Sequence, residues 1–152
     1  MKENLKNHLR DLNSNMTQVI DTNKYIEFVR QTTSPASSDF AALLTRLTEL
    51  EASTDADVPR LMTAALGISA EAGEFTEVIK KIFLQGKSYN EDNVFHLKRE
   101  LGDICWYIAQ ACMSLDTTFE EVLQMNYEKL SARYPEGTFD VWKSENRVDG
   151  DI

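Results

Sequence analysis

LMTAALGISAEAGEFTEVIKKIFL, residues 61–84, and VFHLKRELGDICWYIAQACMSL, residues 94–115, are the stretches that decide the fold. Apolar residues recur in both at helical rather than alternating spacing. Projected at about 100° per residue, the first places Ala64, Ile68, Phe75, Val78, Ile79 and Ile82 on one arc. Glu71 falls inside that arc, and Glu74 lies about 60° to one side. The second places Leu97, Leu101, Ile104, Tyr107, Ile108, Ala111 and Leu115 together. Glu100 lies among them, and Asp103 sits about 60° to the same side.

A glutamate flanked by isoleucine, valine and phenylalanine needs a partner, because an unpaired buried charge is costly. Each acid alone could be an edge residue paired with Lys81, Lys98 or Arg99. Two successive helices carrying the same i, i+3 acidic pair in the same relation to their apolar faces point elsewhere. A short connection through Gly86 makes the helices antiparallel neighbours, and four carboxylates converge on one place. Like charges that close raise one another's pKa values unless a cation joins them. All-oxygen ligation selects a hard ion, Mg²⁺ first with Mn²⁺ as a substitute. No Glu-x-x-His motif is present to build a ferritin-like di-iron site.

Working outward, helices are predicted near 16–31, 39–51, 58–85, 91–115 and 118–133. Thr32-Thr33-Ser34-Pro35 stops the first, since proline disfavours helix in the residue before it. Pro59 suits the first turn of the third, and Gly86 closes it. Ser88 with Glu91, and Thr117 with Glu120, read as capping boxes. The expected fold is all-α, a bundle of about five helices with a four-helix core. It forms a single domain over 1–152, with its core at about 20–142, a polar extension at 1–15 and a loose tail at 143–152.

Composition agrees with a globular chain, 42% apolar and 27% charged, with no apolar run near the roughly 20 residues that span a bilayer. The polar start MKENLKNHLRDLNSN lacks a signal-peptide apolar stretch, so a cytoplasmic location without membrane contact is expected. A net charge of −9 argues against nonspecific nucleic-acid binding, which needs clustered Lys and Arg. Cys105 and Cys112 sit roughly 10 Å apart along a helix, too far for a disulfide. With only His8 and His96 beside them, a Cys/His zinc site is excluded. His96 projects about 40° from Glu100 but is given no role.

Polar and cationic groups gather on another helix. On a helix opening at Thr117, Asn126, Lys129 and Arg133 fall within roughly 60° of one another, suited to phosphate oxygens. The alternative is that Lys129 and Arg133 pair with Glu128 or Glu136. Lys80, Lys81 and Lys87 form a second candidate group, of which Lys81 shares the Glu74 edge. Their placement also suits a helix C-terminus regardless of function.

GISAEAGEFTEVIKKIFLQGK (67–87), HLKRELGDICWYIAQA (96–111) and NYEKLSARYPEGTF (126–139) together resemble the MazG-like group of the all-α nucleoside triphosphate pyrophosphatases. The combination is E-x-x-E, 25 intervening residues, E-x-x-D, then N-x-x-K-L-x-x-R-Y-P-x-G-x-F. The resemblance covers about residues 60–142 well and 20–59 vaguely. It implies that Glu71, Glu74, Glu100 and Asp103 hold Mg²⁺, and that Asn126, Lys129, Arg133 and Tyr134 lie near the substrate. It also implies cleavage of a nucleoside triphosphate between its α- and β-phosphates to monophosphate and pyrophosphate. Many members carry an acid just before the first motif glutamate, where this chain has Ala70.

In the expected chemistry, a carboxylate orients or deprotonates the attacking water while Lys129 and Arg133 share the leaving charge. Tyr25, Phe28 and the TTSPASS loop (32–38) are candidates for holding the base, against the alternative that the two aromatics pack in the core. Cys105, Trp106, Ala109 and Met113 make the fourth helix apolar nearly all round, so a homodimer or homotetramer is expected. Two rivals remain: a superfamily relative acting on dUTP or a phosphoribosyl nucleotide, and a noncatalytic helical module whose acids fix helix register.

Overall fold

A computed structural model describes residues 21–146. Among them are seven helices and no strand: α1 (Thr22–Thr32), α2 (Pro35–Ser38), α3 (Phe40–Ser53), α4 (Val58–Gln85), α5 (Glu91–Ser114), α6 (Phe119–Arg133) and α7 (Val141–Glu145). The all-α class is as expected, and the five long helices match the predicted ones to within a few residues where both can be compared. Predicted positions 16–20, the extension 1–15 and the tail from 147 lie outside the described residues. The two added helices have four and five residues, too short to carry a period. Ser144 and Glu145, expected in the loose tail, close α7.

The chain divides into two compact units, Met1–Thr48 and Glu49–Ile152. In the first, Asp21 caps α1 by accepting from the Asn23 and Lys24 amides. Proline at the first position of α2 follows Ser34 as its N-cap.

The second unit is organised by α4 and α5, which pack along their lengths. Their contacts run in opposite order, as an antiparallel pair requires. Ser114 Oγ donates to the Asp57 carbonyl at 3.2 Å, and Arg60 Nη1 donates to Gln110 Oε1 at 3.0 Å. Gly67 lies against Tyr107, and further along Glu71 meets Glu100. Asp57 caps α4 by accepting from the Arg60 amide at 3.2 Å and the Arg60 Nε at 2.8 Å. That guanidinium, the largest influence, holds the Asp57 carboxyl below its ordinary range.

At the other end Gly86 takes the left-handed conformation (φ 74°) that a side chain would strain, and the Lys87 amide donates to the Lys81 carbonyl at 3.0 Å. The caps that follow differ from the expected boxes. Asn90, not Ser88, caps α5 by accepting from the Asn93 amide, while the Ser88 carbonyl takes Asn93 Nδ2. Thr118, not Thr117, caps α6, and Thr117 Oγ1 instead bonds the Glu121 carboxylate at 2.6 Å. Sequence spacing admits either register in both places; the turn geometry selects the later residue.

Val58, Ala64, Gly67 and Val78 of α4, with Leu97 and Cys112 of α5, form the buried seam. Gly67 sets how closely the two helices approach, for a Cβ there would lie 2.1 Å from the Tyr107 ring. Beyond the seam the unit is open. Helix α6 touches α5 sparsely and buries no residue. On α5, Cys105 is exposed, and Trp106 and Met113 are 55% and 56% exposed, so α4 and α6 leave the second apolar face of α5 largely uncovered among the described residues of this unit.

Candidate metal centre

The same geometry that joins α4 to α5 places an acidic cluster on their seam. Glu71 lies one turn beyond Gly67 on the inner face of α4, and Glu100 lies on the inner face of α5. Each is followed by a second acid three residues on, turned outward by the helical period. Burial follows this arrangement: Glu100 is 6% exposed, Glu71 is half-buried, and Glu74 and Asp103 are exposed.

Glu71, Glu74 and Glu100 each present an oxygen within 4.8 Å of the others. Asp103 stands outside this tight group yet close enough for its charge to act on Glu71. Desolvation, the largest cause, pushes the Glu71 carboxyl above its ordinary range; repulsion from Glu74, Asp103 and Glu100 and a hydrogen bond with Glu100 add to it. Among the described residues, no lysine or arginine forms an ion pair with any of the four acids. Pairing with Lys81, Lys98 or Arg99 is therefore not what the structure contains. Lys81, expected beside Glu74, bonds Glu77 at 3.1 Å on the exposed side of α4. An i, i+4 pair on one helix is a shorter reach than the Glu74 edge.

The cluster does have one basic neighbour. His96 Nε2 lies 2.8 Å from Glu100 Oε1, one turn earlier on α5. The four-residue spacing and the inward face of Glu100 were visible in the sequence; that Glu100 turns an oxygen back along its own helix to the imidazole was not.

The donor set fits a divalent cation of the hard class. It is all carboxylate oxygen, tightly grouped and crowded with like charge, and no lysine or arginine among the described residues pairs with it.

The phosphate candidates lie on α6 and just beyond. Asn126 and Lys129 line an open pocket of about 530 Å³ with Leu115, Thr117, Val122 and Met125. No acid pairs with Lys129 among the described residues; Glu128 takes Gln124 and Glu136 takes Lys143 instead. Arg133 Cζ stands 6.0 Å from the Tyr134 ring, and Tyr134 lines a different pocket of about 240 Å³ with Phe139. None of the four acids lines either pocket. In the first unit Tyr25 and Phe28 lie on α1 and are 61% and 60% exposed.

Comparison with known proteins now bears on this arrangement. The family profile described as MazG nucleotide pyrophosphohydrolase domain matches residues 61–138, the span that holds all but the first three residues of α4 and the whole of α5 and α6. The chain belongs to the MazG nucleotide pyrophosphohydrolase family. The MazG match includes all four acids together with Asn126, Lys129, Arg133 and Tyr134. The chain is also similar to the "Gene 37 protein" of Mycobacterium phage L5, 38% identical over 79 residues that make up 51% of this chain and 68% of that protein. No solved structure matches. Membership implies use of a divalent metal and a nucleotide substrate. No helix among the described residues is long and apolar enough to cross a membrane.

Proposed function

We propose that this MazG protein hydrolyses a nucleoside triphosphate between its α- and β-phosphates, with Mg²⁺ held by Glu71, Glu74, Glu100 and Asp103. The observation that carries this is the grouping of three carboxylate oxygens within 4.8 Å, with no lysine or arginine among the described residues paired to them. When bound, the ion would neutralise phosphate charge and polarise the reacting phosphoryl group.

The protein's own groups divide the remaining work. Glu71 and Glu100, the less exposed pair, anchor the site from the two helices. Glu74 and Asp103 face water, and one of them takes a proton from the water that attacks the α-phosphorus. A new P–O bond forms there as the bond to the bridging oxygen breaks, and pyrophosphate departs. Lys129 and Arg133 share the leaving charge, with Asn126 donating to phosphate oxygen. Lys129 supports this role by having no acidic partner among the described residues. Because α6 lies loosely against α5, its seating over the acids would be completed by substrate and by assembly. A homodimer or homotetramer would cover Trp106 and Met113. A monomer by light scattering at micromolar concentration would remove the assembly part of the proposal.

The decisive experiment is product analysis across a panel of ribo- and deoxynucleoside triphosphates, dUTP included, with Mg²⁺. Monophosphate and pyrophosphate in equal amounts are expected. Release of inorganic phosphate with a nucleoside diphosphate, or no turnover of any nucleotide, would overturn it. Glu71→Gln is expected to abolish turnover while retaining the helical circular dichroism signal.

A further inference from the structure

Glu100 is the most enclosed of the four acids, at 6% exposure, and its described partners are few. Glu71, itself an acid, presents an oxygen within 4.8 Å of one of its own. The other partner is His96, whose Nε2 stands 2.8 Å from Oε1. Lys98 and Arg99 lie between the two in sequence, but both are exposed and neither pairs with Glu100. The histidine side chain is 47% exposed and that of Glu100 only 7%, so the imidazole reaches inward from the rim of the site.

A carboxylate with one oxygen held is restricted in rotation about its terminal bond, and the direction of its other oxygen is fixed with it. Such restriction lowers the entropy lost when both oxygens are later engaged. The kind of donor matters as well. A lysine or arginine at this place would bring a permanent charge that repels a cation, whereas an imidazole N–H holds the oxygen without requiring one. Hydrogen-bond partners of this sort around ligating carboxylates influence metal affinity strongly.

Resting on the metal role proposed above for the four acids, we infer that His96 is a positioning residue: its Nε2–H holds Glu100 Oε1 and presets the Glu100 carboxylate for the divalent cation. His96 is neither a ligand nor the group that accepts the water's proton. It acts through Glu100.

The test uses the full chain without nucleotide and Mn²⁺ alone as the probe, with free Mn²⁺ followed by electron paramagnetic resonance. Unaltered protein, His96→Ala, His96→Gln and Glu100→Gln are compared, each checked for folding by its thermal melt. His96→Ala is expected to weaken Mn²⁺ binding about 10–100-fold, the usual effect of losing such a partner. His96→Gln, whose side-chain amide can donate to the same oxygen, is expected to recover most of that loss. Equal Mn²⁺ affinity in His96→Ala and the unaltered protein overturns the assignment, as does a loss in His96→Gln as large as in His96→Ala. A lower melting temperature of His96→Ala with unchanged affinity also overturns it, showing a role in the helix only. The metal role itself is read separately: it stands if the unaltered protein binds Mn²⁺ and Glu100→Gln does not. It falls, taking the His96 assignment with it, if the unaltered protein binds no Mn²⁺.

Discussion

Replacing Gly67 by alanine sets two physical effects against each other. In a helix interior, alanine is favoured over glycine by about 1 kcal/mol because the backbone loses less freedom on folding. At Gly67 the added Cβ would fall 2.1 Å from two Tyr107 ring atoms and 2.4 Å from a third. Ordinary carbon contact needs about 3.5–4.0 Å, so Tyr107 or the α4–α5 spacing must give by roughly 1.5 Å. Overpacking of this kind costs about 1–3 kcal/mol. The net expectation is a variant less stable than the parent by about 0–2 kcal/mol, melting up to roughly 8 °C lower in a chain of this size, and less stable by about 1–3 kcal/mol than an alanine placed where no contact opposes it. Gly73→Ala and Gly102→Ala provide controls on the same two helices, since a Cβ at either meets nothing within 4 Å. Both are expected to melt at or above the parent temperature. Because Gly67 lies one turn from Glu71, widening the pair also draws Glu71 from Glu100, so Mn²⁺ affinity falls with stability in Gly67→Ala alone. Thermal melts and Mn²⁺ titration of the three variants decide the matter. A Gly67→Ala protein as stable as Gly73→Ala would show that the close approach of α4 and α5 does not limit the fold.

Three further outcomes follow from the site. Saturating Mg²⁺ at about 100 times its dissociation constant is expected to stabilise the protein by about 2.7 kcal/mol, a rise of roughly 5–10 °C in a melt. Glu100→Gln shows no such rise, and an equal rise in both proteins would dissociate stabilisation from the cluster. The raised Glu71 carboxyl means that, above the ordinary carboxylate range, the native state holds a proton the unfolded chain has released. In a chelator, stability from this group is therefore gained as pH falls through the raised value and lost as pH rises. Melts of the parent and Glu71→Gln between pH 4.5 and 7.5 are expected to converge toward the acid end and separate toward neutral pH, with the variant the more stable there; a difference independent of pH would refute this. Lys129→Ala, which removes a cation lining the α6 pocket, is expected to lower kcat/KM by about 10–100-fold, corresponding to one charge-assisted hydrogen bond of about 1.5–3 kcal/mol. Mn²⁺ affinity without nucleotide should stay unchanged, and a parallel loss of metal binding would place Lys129 in the metal centre instead.

Residues 61–84 and 94–115 carried the all-α fold by themselves, because a 3.6-residue period sustained over six or so turns leaves no other way to gather the apolar groups. Their periods also placed Glu71 and Glu100 on inner faces, with Glu74 and Asp103 beside them, before any packing was known. Register at the caps was not legible: Ser88 and Asn90, or Thr117 and Thr118, are chemically interchangeable as first acceptors, and only the path of the turn selects one. The partners of side chains were equally hidden. Lys81 bonds Glu77 rather than reaching the Glu74 edge, and His96 bonds Glu100, because such choices depend on reach and burial rather than on spacing. How close the carboxylates come was set by Gly67 against Tyr107, a contact between residues distant in sequence. Local periodicity thus determined which face each acid occupies; the approach of α4 to α5 decided that their charges share one site, since repulsion and desolvation act through space and not along the chain.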